Sequence, residues 1–417
     1  MRFSSLNEWL VWLEQQHPKA IDLGLDRIGK VAARLQVKDL GCPVITVGGT
    51  NGKGSTVATL VSIYTAAGRK VGSYTSPHLL SFNERICIDG RPVDDDIIVR
   101  ALEKISDARD GISLTYFEFT TLAAFVIFRE AGLDVAVLEV GLGGRLDAVN
   151  LIDADVAVVA SIGLDHMDWL GDSVELIATE KAGIFRAGRP AICGDREPPS
   201  TLPEAAARVG APLLRKGHDF DWLATDDGWS FRDTKGVLTG LPVPRLALDN
   251  ACTALAALRQ CIIPVDEAAI REGLAQAALA GRAERVGQHP EIIVDVGHNP
   301  HGAQFFMRQI PPALAGQRTH AVFAMLADKD IAGVIDACLG RIDAWHIASL
   351  AVPRGSSWQA IEQFLLERGG VVASRSESVA AALHQARQAA APNDRILVFG
   401  SFYTVSAAKA ALDTLGA

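Results

Sequence analysis

The decapeptide Val47-Gly48-Gly49-Thr50-Asn51-Gly52-Lys53-Gly54-Ser55-Thr56 limits what this chain can fold into more than any other stretch. Before it stands the apolar run Val44-Ile45-Thr46-Val47, which has the character of a buried strand. After it, Val57, Leu60, Val61 and Tyr64 recur at helical spacing. A glycine-rich turn between a strand and a helix N-terminus lets backbone N–H groups crowd around phosphate oxygens without side-chain obstruction. Lys53 then reaches the β- and γ-phosphates, and a hydroxyl just beyond, at Ser55, can touch Mg²⁺. The usual P-loop pattern is not met in full. Position 47 is Val where the first glycine would sit, and Gly54 separates Lys53 from Ser55. The rival reading is an ordinary glycine-rich turn with an exposed lysine; the strand–turn–helix context favours ATP.

At 417 residues, 49% of them hydrophobic, the chain has room for two or three well-filled domains. A net charge of −9 without a long basic stretch argues against a nucleic-acid partner. A substrate rich in carboxylates would need local positive charge instead. Six cysteines (Cys42, Cys87, Cys193, Cys252, Cys261 and Cys338) show no CxxC spacing, which fits free thiols in a reducing compartment. The first residues lack the apolar core of a signal peptide, and no run approaches the roughly 18 apolar residues of a membrane span. A cytoplasmic monomer is expected, without nucleic acid or membrane as partner.

Strand-like runs at 44–48, 70–75, 134–140, 155–162 and 189–193 alternate with helical patterns, among which 117–131 is one of the clearest. That alternation predicts an α/β fold, a P-loop ATPase domain built on a mostly parallel sheet. Residues 218–241 read as antiparallel hairpins, followed by helices at 249–261 and 266–278. The segment 280–287 reads as a linker. Beyond it, strands near 291–296, 320–325, 343–348 and 394–399 restart the pattern as a smaller C-terminal Rossmann-like α/β domain. The expected division is 1–281 and 282–417.

Three further segments fall where strands should end: Ser73 to His78, Leu138 to Asp147 and Ile162 to Trp169. In a doubly wound sheet such ends converge on one crevice. Ser76, Glu139 and His166 would then meet beside the glycine-rich turn, offering a hydroxyl, a carboxylate and an imidazole to a divalent ion. Taken singly, Ser76 also reads as a turn residue, Glu139 as a helix cap and His166 as an ordinary surface or core histidine.

The segments Gly49 to Ser55, Ser76-Pro77-His78, Leu114 to Glu118, Glu139 to Asp147, Asp165-His166, Glu180 to Phe185, Asp295 to His301 and Gly400-Ser401-Phe402 stand nearly end to end along the chain. Together they resemble the bifunctional dihydrofolate synthase/folylpolyglutamate synthase family, a folate branch of the Mur ligases. One departure is Gly297, where the family more often has Ala. The resemblance implies Mg²⁺ on Ser76, Glu139 and His166, and ATP on Thr50, Asn51, Gly52, Lys53, Asn250, Arg282 and Asp295, with Gly54 and Ser55 completing the turn. It implies a pteroate pocket lined by Asp22, Leu23, Gly24 and Leu25, by Thr115, Tyr116, Phe117 and Glu118, and by Leu146, Asp147 and Ala148, with Ser401 also binding substrate. Phe117 suits a flat pterin, though it also reads as a core aromatic. Lys181 would be carboxylated by CO₂ and hold a second Mg²⁺. A surface lysine paired with Glu180 is the plain alternative. Lys53, Lys181 and His298 would be catalytic, His298 orienting glutamate or the acyl phosphate, and Arg282 would reach phosphate when the domains close. The implied substrates are dihydropteroate, tetrahydrofolate and L-glutamate, joined through an acyl phosphate.

Other classes fit less well. Most peptidoglycan-building Mur ligases carry a nucleotide-sugar domain ahead of the ATPase, and only about 45 residues precede this turn, too few for a domain. A P-loop kinase or switch protein would not need a second domain with its own His298-Asn299-Pro300. A catalytically dead nucleotide-binding module would be expected to have lost some of these polar positions.

Overall fold

The structure, a computed structural model, describes residues 3–19, 21–226 and 228–414. It divides into two compact units, 1–278 and 279–417. The first is organised around eight strands: β1 (Val44–Gly48), β2 (Val71–Tyr74), β3 (Ile86–Ile88), β4 (Arg91–Pro92), β5 (Val135–Glu139), β6 (Val156–Val159), β7 (Ala191–Cys193) and β8 (Leu213–Arg215). Their order across the sheet is β4-β3-β2-β5-β1-β6-β7-β8. From β2 to β8 all pairings are parallel; β3 and β4 extend the sheet antiparallel at one edge. β1 is wholly buried between β5 and β6, which is why its residues are a continuous apolar run rather than an alternation.

Both faces of this sheet are covered. On one, the helices Leu6–Leu13, Asp26–Leu35, Asp95–Ala108 and Tyr116–Ala131 share a core built around Trp9, Phe119, Phe125 and Phe128. On the other, the helices Lys53–Ala66 and Leu248–Gln260 pack with a small antiparallel sheet of β9 (Phe220–Thr225), β10 (Gly228–Asp233) and β11 (Gly236–Leu241). The hairpins expected at 218–241 are this sheet.

The second unit carries β12 (Glu284–Gln288), β13 (Glu291–Asp295), β14 (Thr319–Phe323), β15 (Ala344–Ala348), β16 (Val372–Ser376) and β17 (Arg395–Phe399) in the order β12-β13-β17-β14-β15-β16. Five strands are parallel and β12 is antiparallel to β13. Residues 280–287 are therefore not simply a linker: Glu284 onward forms an edge strand with a bulge between Arg285 and Gly287. Its charged, glycine-flanked sequence hides it, because an edge strand with two wet faces has no apolar alternation to read.

Candidate functional site

The glycine-rich turn follows β1 directly. The helix behind it starts at Lys53, and its N-cap, Gly52, sits at φ 86° with no side chain capping the first turn. A Cβ on Gly52 would lie 2.5 Å from Asn250 Oδ1, so the left-handed backbone and the neighbouring asparagine both demand glycine there. Lys53 folds back over its own loop, its Nζ donating to the carbonyls of Gly49 (3.0 Å) and Thr50 (3.2 Å). The turn is clasped to the segment after β6. Thr50 N–H donates to Ser161 O (2.8 Å), Gly163 N–H donates to Thr50 Oγ1 (3.0 Å), and Asn51 N–H donates to Ser161 Oγ (3.0 Å). Ser161 had no motif of its own, and sequence reasoning missed it; Gly163 falls in the segment Ile162 to Trp169 but had no role assigned.

The sheet order brings the other segments alongside. Glu139, the last residue of β5, sits beside Val47 in register, and its buried carboxylate accepts the backbone N–H of Ser76 at 3.4 Å. His166 lies farther out than expected. β6 ends at Val159, and the histidine comes after the intervening loop, at φ 51° ahead of the short helix Met167–Leu170, with its side chain about half exposed (45%). The run 155–162 reads as one long strand in sequence because Ala160 and Ile162 continue its apolar character.

Lys181 ends up inside, only 4% exposed, near the end of the helix Val174–Ala182, while Glu180 pairs with Arg145 (2.8 Å) instead. Burial first, and then the charge of Lys53, push the Lys181 amine down to about 7; Asp165 and Asp147 oppose that shift. Asp147 is itself buried and pushed up to about 6 by burial, against hydrogen bonds from the backbone N–H groups of Leu142 (2.8 Å) and Val149 (2.9 Å) and the charge of Lys53. Lys53, Asp147 and Lys181 thus feel one another in one place.

Next to them lie the residues read as a pteroate pocket. Phe117 packs over Gly141 so closely that a Cβ there would meet its ring at 2.5 Å, and it tilts against Tyr74 at 6.0 Å. Thr115 and Glu118 form the capping box of the helix Tyr116–Ala131, a structural duty both perform whatever else they touch. Arg27 ties two of the predicted segments together: it pairs with Asp22 (2.7 Å) and with Glu118 (3.1 Å). That link was invisible in sequence, because Arg27 and Glu118 are 91 positions apart. Leu23, Gly24 and Leu25 are half-buried in the connection ahead of the helix Asp26–Leu35; Leu146 is half-buried and Ala148 buried.

Within the second unit, Asp295 ends β13, buried, accepting the N–H groups of Ala283 (2.9 Å) and Gly297 (2.7 Å). Burial raises its carboxyl, opposed by Arg282. Arg282 lies 6.0 Å and the His298 ring 6.5 Å from the ring of Phe402. Ser401 accepts the N–H of Thr404 (3.0 Å) at the start of the helix Phe402–Thr414. Because β13 and β17 are parallel neighbours, the turns carrying Asp295–His298 and Gly400–Phe402 emerge side by side.

Residues 47–194 match the Mur ligase middle domain and residues 281–402 the Mur ligase glutamate ligase domain. The dihydrofolate synthase/folylpolyglutamate synthase of Escherichia coli (strain K12) is 48% identical over 403 residues, covering 97% of this chain and 94% of that protein. The chain belongs to that family of Mur ligases. The structure of E. coli FolC in complex with DHPP and ADP superposes with a TM-score of 0.94 at 47% identity, covering 99% of both chains. A bifunctional folylpolyglutamate synthase/dihydrofolate synthase with Mn, AMPPNP and L-glutamate bound gives 0.92 at 43% identity, over 99% of this chain and 98% of its own. The expected α/β fold with mostly parallel sheets is borne out, as is the family resemblance. Among the described residues no helix is long and apolar enough to cross a membrane.

Proposed function

We propose that this chain is an ATP-dependent amide ligase that adds L-glutamate to dihydropteroate, giving dihydrofolate, and to folates such as tetrahydrofolate, giving polyglutamates. One observation carries the reading: Lys181, buried to 4% exposure, has its proton affinity lowered by burial and by the charge of Lys53 on the glycine-rich turn. A simple nucleotide switch has no use for such a lysine.

The chemistry follows in two steps. A carboxylate oxygen of the substrate attacks the γ-phosphorus of ATP and ADP departs. The glutamate amine, having lost its proton, then attacks the acyl carbon, and phosphate leaves with that oxygen as the amide forms. Joining two anions needs fixed positive charge and alignment. Lys53 and the uncapped N–H groups behind Gly52 supply the charge, while Phe117 offers a face to the pterin. In the second unit we assign Asp295 and Arg282 to the nucleotide, and His298 and Ser401 to glutamate or the acyl phosphate.

The donor set also suits a divalent ion. The buried Glu139 carboxylate, the Ser76 hydroxyl and the His166 imidazole fit Mg²⁺, which when bound offsets the charge of the phosphates. Its low proton affinity leaves Lys181 neutral often enough to add to CO₂ with loss of a proton, giving a carbamate anion suited to a second Mg²⁺. The division of labour is the first unit for the phosphates of ATP and for folate, the second for glutamate and, through Asp295 and Arg282, for the nucleotide as well. A cytoplasmic monomer that binds no nucleic acid completes the proposal; all six cysteines are free thiols, in keeping with it.

The test is to incubate the protein with ATP, Mg²⁺, glutamate and either dihydropteroate or tetrahydrofolate, and to weigh the products. One added glutamyl unit on each acceptor is expected. Product from tetrahydrofolate alone would reduce the activity to folylpolyglutamate synthesis, and ATP breakdown without any amide would overturn the proposal.

A further inference from the structure

Arg85 closes the single turn Phe82–Arg85 that follows β2. Its carbonyl accepts the N–H of Thr75 (2.9 Å), the residue before Ser76, so it stands one step from the Ser76–Glu139 contact. Its guanidinium is held in a fixed pose: Nε donates to His78 Nδ1 (2.8 Å), and Cζ lies 5.9 Å from the ring centre of Phe82 and 5.8 Å from that of Tyr116. Tyr116 directly precedes Phe117.

No carboxylate among the described residues pairs with this cation. Its neighbour Glu84 turns away, accepting the N–H groups of Leu79 (2.7 Å), Leu80 (2.8 Å) and Ser81 (2.8 Å). The other arginines of this region are engaged, Arg27 with Asp22 and Glu118, and Arg145 with Glu180. In a chain of net charge −9, an oriented guanidinium left without an anion beside a site for carboxylate substrates is a recognition element.

The two acceptors differ in charge. Dihydropteroate has one carboxylate, the one that reacts. A folate keeps a second, the α-carboxylate of its glutamyl residue, which is not activated and must be neutralised while its γ-carboxylate is phosphorylated. We propose that the terminal N–H groups of Arg85 bind that α-carboxylate, making Arg85 the residue that adapts the site to folates. The inference rests on the functional reading above.

The test compares wild type, Arg85→Gln and Arg85→Lys on three acceptors: dihydropteroate, tetrahydrofolate and the α-carboxamide of tetrahydrofolate. Losing a charge-assisted hydrogen bond should raise the tetrahydrofolate KM by about tenfold to a hundredfold in Arg85→Gln. Arg85→Lys should recover part of it, and the KM for dihydropteroate should change least. Wild type should handle the α-carboxamide as poorly as Arg85→Gln handles tetrahydrofolate, a comparison that needs no stable variant for its first half. Equal KM changes on dihydropteroate and tetrahydrofolate, or wild-type indifference to the α-carboxamide, would overturn the assignment. Failure of wild type to add glutamate to any acceptor would instead overturn the functional reading.

Discussion

Each unit of this protein places a turn and a helix N-terminus after a buried parallel strand, yet the two turns are finished differently. After β1, the cap is Gly52, no side chain satisfies the first N–H groups of the helix, and the lysine that opens the helix folds over the loop. After β13, Asn299 caps its helix by accepting the Gly302 N–H at 2.8 Å, Pro300 occupies the first turn, and Asp295 accepts the N–H of Gly297. One helix start is left open to an anion and the other is closed by its own side chains. An open start costs stability that a bound phosphate restores; a closed one is self-sufficient and, on our proposal, leaves recognition to projecting groups such as His298. The same strand–turn–helix plan thus yields an uncapped helix start in one unit and a capped one in the other.

Removing the charge at the open turn should have the largest effect. Lys53→Ala is expected to lower turnover by about two to three decades, the typical result of losing one charge-assisted contact to a transferring phosphoryl group, with little change in melting temperature. Near-normal turnover would dissolve the contrast between the two turns. Closing the open turn by steric means comes next. Gly52→Ala should destabilise the fold by about 1–3 kcal/mol, from the φ of 86° together with the approach to Asn250, and should weaken ATP binding in calorimetry.

A smaller effect concerns Lys181, a buried cation where the turn of the second unit buries a carboxylate, Asp295. Between about 7 and 10.5 the unfolded chain holds a proton on this lysine that the folded chain does not, so stability should rise with pH across that window. In CO₂-free buffer the rise relative to Lys181→Met should reach about 1.4 kcal/mol per pH unit, read by denaturant titration. A pH-independent difference would mean that the amine keeps its ordinary proton affinity. Smallest is the closed turn: Asn299→Ala should cost about 1 kcal/mol of second-unit stability through loss of the cap. A loss of ATP affinity far exceeding that cost would show that this helix start takes an anion as the first one does.

Much of the fold was legible in advance wherever one periodicity ruled a long segment. The apolar runs of β1 and β5, the helix at 116–131 and the hairpins of β9–β11 all announced themselves. The strands that escaped notice, β3, β4, β8, β12 and β16, are short, partly polar or at sheet edges, where burial on a single face leaves a faint pattern. Residues of the candidate site that lie inside contiguous motifs could be named from the sequence. Arg85 and Ser161 could not, nor could the pairing of Arg27 with Glu118, because each matters through a partner far along the chain or through the anion it lacks.

What the sequence by itself determined was local: a glycine-rich turn between a buried strand and a helix, the caps at Thr115 and Asn299, and the alternation that makes two parallel sheets. Those choices follow from backbone sterics and the period of apolar side chains, which neighbouring residues settle among themselves. The tertiary structure decided which side chains share a dielectric. Only the order β2-β5-β1-β6 puts Glu139 beside the turn and Ser161 behind it. Only the packing of the helix Val174–Ala182 buries Lys181 within reach of the charge on Lys53. Proton affinity and charge pairing depend on distance and on the water excluded between groups, and neither can be read from spacing along a chain.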